Sequence, residues 1–268
     1  MTPQQEQLAD ASCEVGLPQC LDSPVWPSPP THPRVNHDEV HVWRVSLDQL
    51  QAPKFVALLD DNERMRAARF RFPEHRHRFT VARGALRTIL GRYLEVEPAA
   101  LEFSYGPYGK PALADGFTNH TINFNLSHSG EFMLLAATSG REVGIDIELV
   151  DREFATTEVA ERFFSQREIL SLRTQAPQLQ TEGFFNCWTR KEAYIKARGE
   201  GLSLPLDQFD VSLEPSIAAL LANRISPSEV SRWSLQELHP APGYCAAVAV
   251  AGFSWSLRLI DFSSCTLV

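Results

Sequence analysis

Gly144-Ile-Asp-Ile-Glu148 alternates apolar and acidic residues, whereas Trp188-Thr-Arg-Lys-Glu-Ala-Tyr-Ile-Lys196 carries its charges at helical spacing. One backbone conformation cannot serve both, so the chain needs a strand and a helix. As a strand, the first stretch points Asp146 and Glu148 to one face and Ile145 and Ile147 to the other. As a helix, the second stacks Glu192 and Lys196 one turn apart. Carboxylates brought together repel one another unless a cation joins them. A hard ion such as Mg2+ takes a few carboxylates and fills its other positions with water and phosphate oxygens. An arbitrary Asp-x-Glu is more often a solvated strand face, and a helical Glu-x-x-x-Lys a surface bridge. Here Gly144 and the isoleucines mark a central strand, where unpaired charges are costly. Metal ligation by Asp146, Glu148 and Glu192, and with it phosphate chemistry, is the better reading.

The 268 residues suffice for one large domain or two smaller ones, and 44% hydrophobic with 22% charged residues is ordinary globular composition. A formal net charge of -8 argues against a dedicated nucleic-acid binder. The charge is unevenly spread: residues 63–92 hold nine Arg against Glu63 and Glu74, a local excess that suits an anionic ligand. The five Cys show no zinc spacing and fit a reduced compartment. No signal peptide and no apolar run of transmembrane length is visible, so a soluble, cytoplasmic protein without a membrane partner is expected.

Residues 1–38, rich in Pro, Gln and Ser, read as a flexible leader, with a surface-wrapping arm as the alternative. A strand is predicted at His41–Leu47, where Trp43, Val45 and Leu47 alternate with polar residues. Helical spacing follows, with Phe79, Ala82, Leu86, Ile89 or Leu90, and Tyr93 forming a stripe. After a loop, Tyr105-Gly-Pro-Tyr-Gly-Lys-Pro111, comes a strand over Ile122–His128. A hairpin across Ser139-Gly140 is predicted to join 132–138 to 143–148. Ser165-x-x-Glu168 has capping-box spacing, a helix covers roughly 182–198, and Gly199 suits its C-cap. Strands at 244–250 and 255–262 close the chain. Helices followed by antiparallel strands, twice over, predict an α+β fold of two similar lobes, 39–142 and 143–268.

Other residues carry weaker signals. His128, between Ser127 and Ser129, either bonds locally in a turn or donates to a phosphate. Gly109-Lys110-Pro111 is no Walker A motif, which requires G-x-x-x-x-G-K-[ST], although Lys110 could still meet a phosphate from its loop. Most of the arginines read as a solvated face; Arg66, Arg78, Arg83 and Arg87 are singled out for the resemblance that follows.

In order and spacing, these segments resemble the 4'-phosphopantetheinyl transferases of the surfactin-synthetase-activating type. The likeness rests on Arg69-Phe70 with Arg78, Gly109-Lys-Pro111, Asn125-Leu-Ser-His128, Gly144-Ile-Asp-Ile-Glu148, Phe163-Phe-Ser165 with Glu168, and Trp188-x-x-Lys-Glu-Ala-x-Ile-Lys196. It implies a monomer of two pseudo-twofold lobes with coenzyme A in the cleft between them. It also implies transfer of the 4'-phosphopantetheine arm to a serine of an acyl or peptidyl carrier protein, releasing adenosine 3',5'-bisphosphate. Carried over, Asp146, Glu148 and Glu192 hold Mg2+. Arg66, Arg78, Lys110 and His128 hold phosphates of coenzyme A, with Lys196 at the leaving phosphate. Asn125, Leu126 and Ser127 line the site, and Tyr105 to Gly109, with Pro111 beyond, border the nucleotide. A lysine common in the family near position 63 is Glu63 here.

The chemistry agrees with this reading. Serine attack on a phosphoanhydride needs neutralised pyrophosphate charge, a deprotonated nucleophile and a stabilised leaving group. Asp146 with its metal would supply the first, Glu192 the base, and Lys196 the last. A metal-dependent nuclease or phosphodiesterase uses a similar acidic set, but the acidic balance and lack of aromatic platforms disfavour it. A non-catalytic coenzyme A-binding module would need neither Glu192 nor Lys196.

Overall fold

Alternation along residues 39–47 splits one strand between two cores. Val40 and Val42 face one apolar cluster, and Trp43, Val45 and Leu47 face another. A strand buried on both sides must lie between layers, and the whole fold follows from that. The computed structural model describes residues 25–117, 122–215 and 217–262. The first lobe runs β1 (Glu39–Ser46), α1 (Pro53–Val56), α2 (Asp61–Ala68), α3 (Pro73–Leu94), β2 (Phe103–Tyr105), β3 (Pro111–Leu113), β4 (Ile122–Ser129) and β5 (Phe132–Ser139). The chain continues through β6 (Val143–Leu149), α4 (Thr157–Phe163), α5 (Gln166–Thr174), α6 (Pro177–Arg198), β7 (Phe209–Val211) and β8 (Leu220–Asn223). It closes with β9 (Trp233–Leu238), β10 (Tyr244–Ala251) and β11 (Ser256–Asp261).

Among the described residues two larger sheets form, β11-β1-β5-β4 and β6-β10-β9, beside the two-stranded pairs β2-β3 and β7-β8. The stripe of α3 (Val81, Ala82, Leu86, Ile89, Leu90) packs on the outer face of the first sheet, against Trp43, Val45, Met133 and Leu135. On the second sheet α6 does the same, with Phe184, Ala193, Tyr194 and Ala197 against Trp233, Ala247 and Ala249. The inner faces meet in a third cluster, where Val40, Val42, Leu134 and Ala136 oppose Val143, Ile145, Ile147 and Val248. The layers are therefore helix, sheet, sheet, helix, a mixed α+β arrangement. Strand order repeats between the lobes: β1 pairs antiparallel with β5, and β5 with β4, as β6 pairs with β10 and β10 with β9. Among the described residues no helix is long and apolar enough to cross a membrane.

Four expectations need correction. The predicted hairpin across Ser139-Gly140 does not form. Strand β5 pairs instead with β4 through a turn at Gly130 (φ +55°), and the chain crosses from one sheet to the other at Gly140 (φ +72°). Alternation tells which residues face a core but not whether two strands lie side by side or face to face. The closing strand, expected in the second lobe, lies parallel to β1 in the first, so the division at 142/143 does not hold for β11. There it covers the edge of β1 that β5 leaves open. In the leader, residues 25–38 lie against the first lobe, whereas residues 1–24 fall outside the described residues. The Pro27 carbonyl accepts from Asp261 N–H at 2.7 Å, Asp38 accepts from Ser256 N–H at 2.8 Å, and the Arg44 guanidinium sits 4.9 Å from the Trp26 ring centre. Helix α6 starts earlier than predicted, at Pro177, whose missing N–H costs nothing in a first turn.

Candidate active site

Gly144 decides how closely α6 can approach β6. A Cβ at this position would lie 2.1 Å from the Ala193 carbonyl oxygen and 2.3 Å from the Ala197 nitrogen, so only glycine lets the helix lie flush on the strand. On that same face, further along β6, come Asp146 and Glu148, and α6 presents Glu192 and Lys196 to them. The other side of β6 meets β4, whose residues 125, 127 and 129 share a face at period two. Asn125 Oδ1 accepts from Ile145 N–H at 2.9 Å, Ser127 Oγ donates to Asp146 Oδ1 at 2.8 Å, and Ser129 Oγ donates to Glu148 Oε2 at 2.8 Å. Side chains of β4 thus take the place of a neighbouring backbone, and the two lobes are stitched at the site itself.

A cavity of about 440 Å³ opens over this seam, lined by Leu126, Ser127, His128, Asp146, Glu148, Trp188, Glu192 and Lys196. Lys196 Nζ donates to Asp146 Oδ1 at 2.5 Å and to Ser127 Oγ at 2.9 Å. Burial works against the Lys196 charge, but Asp146 outweighs it and holds the ammonium above the usual lysine range. Burial pushes the Glu192 carboxyl up to about 7, with Asp146 and Glu148 adding to the shift and Lys196 opposing it. Glu148 is raised by burial and then by Asp146, against the Ser129 bond. The pocket therefore holds more negative charge than one lysine neutralises.

Among the described residues no three His, Cys, Asp or Glu side chains converge into a ready-made metal cage. Magnesium rarely needs one, since it keeps waters and is commonly held by one or two carboxylates plus substrate phosphates. The donors fit such an ion. Asp146 is 2% exposed, and its Oδ2 is buried without a hydrogen-bond partner. A buried carboxylate oxygen with no partner is costly unless a cation reaches it.

Of the other residues singled out from sequence, Asn125, Ser127 and His128 lie at this seam, whereas Gly109, Lys110 and Pro111 do not line the cavity. Lys110 and Pro111 line a neighbouring one of about 610 Å³, and the Lys110 ammonium turns onto backbone carbonyls of α6 and β6. The Arg78 guanidinium forms a two-bond fork with Asp48 (2.7 and 2.6 Å), and that of Arg66 lies 5.4 Å from the Phe79 ring centre. Arg83 and Arg87 are occupied inside the first lobe. Both bind Glu63, while Arg87 also reaches Asp60 at 2.6 Å, and Arg83 donates to Tyr105 Oη at 3.0 Å. Arg87, fully buried, is structural, and Glu63 is the carboxylate that makes its burial tolerable. Ser129 and Trp188 stand within the motifs quoted from the sequence but had no site role assigned there. Ser129 shares the period-two face of Asn125 and Ser127; Trp188 lies one turn before Glu192 on α6, and both positions carry that signal.

Comparison with known proteins bears on the family of the chain. A family model described as the 4'-phosphopantetheinyl transferase superfamily matches residues 142–249, and one described as 4'-phosphopantetheinyl transferase, N-terminal, matches 41–140. The chain is 44% identical over 232 residues to the 4'-phosphopantetheinyl transferase HetI of Nostoc sp., covering 86% of this chain and 95% of that one. It is 33% identical over 207 residues to the 4'-phosphopantetheinyl transferase Sfp of Bacillus subtilis, covering 76% and 88%. A solved Thermotoga maritima holo-[acyl-carrier-protein] synthase aligns over 41% of this chain and 62% of its own, at 21% identity and a TM-score of 0.32, too distant to carry an argument. Matched in both halves and along nearly its whole folded length, the chain belongs to the 4'-phosphopantetheinyl transferase superfamily.

Proposed function

We propose that this chain moves the 4'-phosphopantetheine arm of coenzyme A onto a serine of an acyl or peptidyl carrier protein in the cavity between β4, β6 and α6, releasing adenosine 3',5'-bisphosphate. One observation carries the reading. A carboxyl raised to about 7, Glu192, shares a small cavity with an ammonium, Lys196, that Asp146 and Ser127 hold in place. In the metal-free pocket a base poised near neutrality suits removal of a serine proton at physiological pH, and a bound cation would hold the same carboxyl in its ionised form. The Lys196 ammonium, fixed by two acceptors, is preorganised to meet charge developing on the departing phosphate. His128 opens onto the same cavity, where a ring N–H can bind a phosphate oxygen. Magnesium held by Asp146, Glu148 and Glu192 would neutralise the pyrophosphate as a Lewis acid. Arg66, Arg78 and the Tyr105–Gly109 loop lie on the first lobe and extend the site toward the nucleotide. The repeated strand order supports two lobes related by a pseudo-twofold axis; we take the chain to work as a monomer in the cytoplasm.

Incubation with coenzyme A, Mg2+ and an apo carrier protein tests this. The carrier should gain the mass of one phosphopantetheine group. Coenzyme A binding with no change in any carrier would sink the reading.

A further inference from the structure

The loop between β2 and β3 is closed on itself. Gly106 N–H donates to the Lys110 carbonyl at 2.9 Å, Gly109 N–H donates to the Gly106 carbonyl at 2.9 Å, and Gly109 takes φ +79°. From this turn the Lys110 side chain crosses to the second lobe. Its Nζ donates to the carbonyls of Lys196 (2.8 Å), Val143 (3.3 Å) and Ala197 (3.4 Å). Two of these belong to the last turn of α6, where the helix dipole is negative; the Lys196 carbonyl also accepts from the C-cap Gly199 N–H at 3.2 Å. The third opens β6. An ammonium has three protons, and three backbone oxygens take them.

The position of these acceptors matters more than their number. Val143 starts the strand that carries Asp146 and Glu148, and Lys196 and Ala197 lie in the last turn of the helix that carries Glu192 and Lys196. Lys110 comes from neither element. It bridges both from outside, and it lines the cavity of about 610 Å³ rather than the one that holds the carboxylates.

We propose that Lys110 is a positioning residue that ties the C-terminal end of α6 to the start of β6, holding Glu192 and Lys196 in register with Asp146 and Glu148, and that it does not bind a phosphate of coenzyme A. The role in turnover rests on the transferase reading above; the tie itself does not. Without it the end of α6 is held on β6 by packing and by the Lys196–Asp146 ion pair, and a shift of about 1 Å at the reacting groups is enough to slow chemistry about a hundredfold.

The test compares Lys110→Met, which keeps the stem and removes the donors, with Lys110→Arg, which restores them. Coenzyme A affinity, measured by calorimetry without carrier, should change less than about threefold in Lys110→Met. The kcat for carrier modification should fall about ten- to a hundredfold, with KM for coenzyme A nearly constant, and Lys110→Arg should recover much of it. Amide hydrogen exchange should rise in Lys110→Met across residues 196–199 and 143–146. Should Lys110→Met fail to fold, Lys110→Gln takes its place in the same measurements. A tenfold or greater loss of coenzyme A affinity with kcat unchanged would overturn the proposal, and so would unchanged exchange at both segments. If the wild-type chain binds coenzyme A but modifies no carrier, the transferase reading fails, while the exchange measurement still decides whether Lys110 ties α6 to β6.

Discussion

Glu192 is the residue on which most of the chemistry turns, and its environment sets a measurable sign. Its carboxyl is raised from 4.5 to about 7 in the folded chain, chiefly by burial and then by Asp146. The folded protein therefore holds a proton that the unfolded chain releases, so this contribution to stability is complete below pH 4.5 and is lost as pH rises through about 7. In chelator-treated protein, Glu192→Gln should flatten that decline and raise stability at pH 8 by up to roughly 3 kcal/mol. Thermal melts of both proteins from pH 5 to 8 check it, and identical profiles would show that Glu192 is not the strained carboxyl. That Glu192 and Lys196 share one face of α6 was legible from i,i+4 spacing. The partner that holds Lys196 was not, because Asp146 and Ser127 reach it from other elements.

Between elements, close approach does what no single side chain could. Gly144→Ala places a methyl against the Ala193 carbonyl and the Ala197 amide, both helix backbone that cannot rotate away. The expected cost is about 1–3 kcal/mol or more, with α6 displaced from β6 and transfer lost more than stability alone explains. Denaturant melts beside initial rates separate the two, and wild-type rates in a folded Gly144→Ala would refute the account. Helix α6 is anchored at a second point. Lys191 is fully buried, ion-pairs with Glu168 at 2.8 Å and donates to the Leu206 and Phe209 carbonyls. Glu168 closes the capping box at Ser165 and accepts from Val211 N–H at 2.7 Å. Lys191→Met leaves that carboxylate buried without its cation and should cost about 3–5 kcal/mol, read as a fall in unfolding midpoint. The capping box was legible as a four-residue pattern; its carboxylate's second role, bracing Lys191, spans 23 positions and left no local trace.

At the scale of the molecule, the two lobes are joined through the site. Asn125, 4% exposed, gives its amide oxygen to the Ile145 N–H, one residue from Asp146. Asn125→Ala orphans that N–H and should cost about 1–3 kcal/mol while loosening β6 against β4. Faster amide exchange at Ile145 with the rest of β6 unchanged is the expected signature; an unaltered Ile145 amide would mean that β4 does not hold β6. Strand β11 adds a second link, since the last strand of the chain lies in the first lobe's sheet.

Periodicity along the chain determined which residues share a face: Ile145 and Ile147 inward, Asp146 and Glu148 outward, the stripe of α3, and Glu192 stacked on Lys196. These follow from 2.0 and 3.6 residues per repeat, which are local properties of the backbone. Tertiary structure alone decided that β5 and β6 stack rather than pair, that β11 returns to β1, that Glu63 neutralises Arg83 and Arg87, and that Lys110 grips the end of α6. Each depends on the partner met across tens of residues, and alternation is equally satisfied by a neighbour in the same sheet or in the facing one.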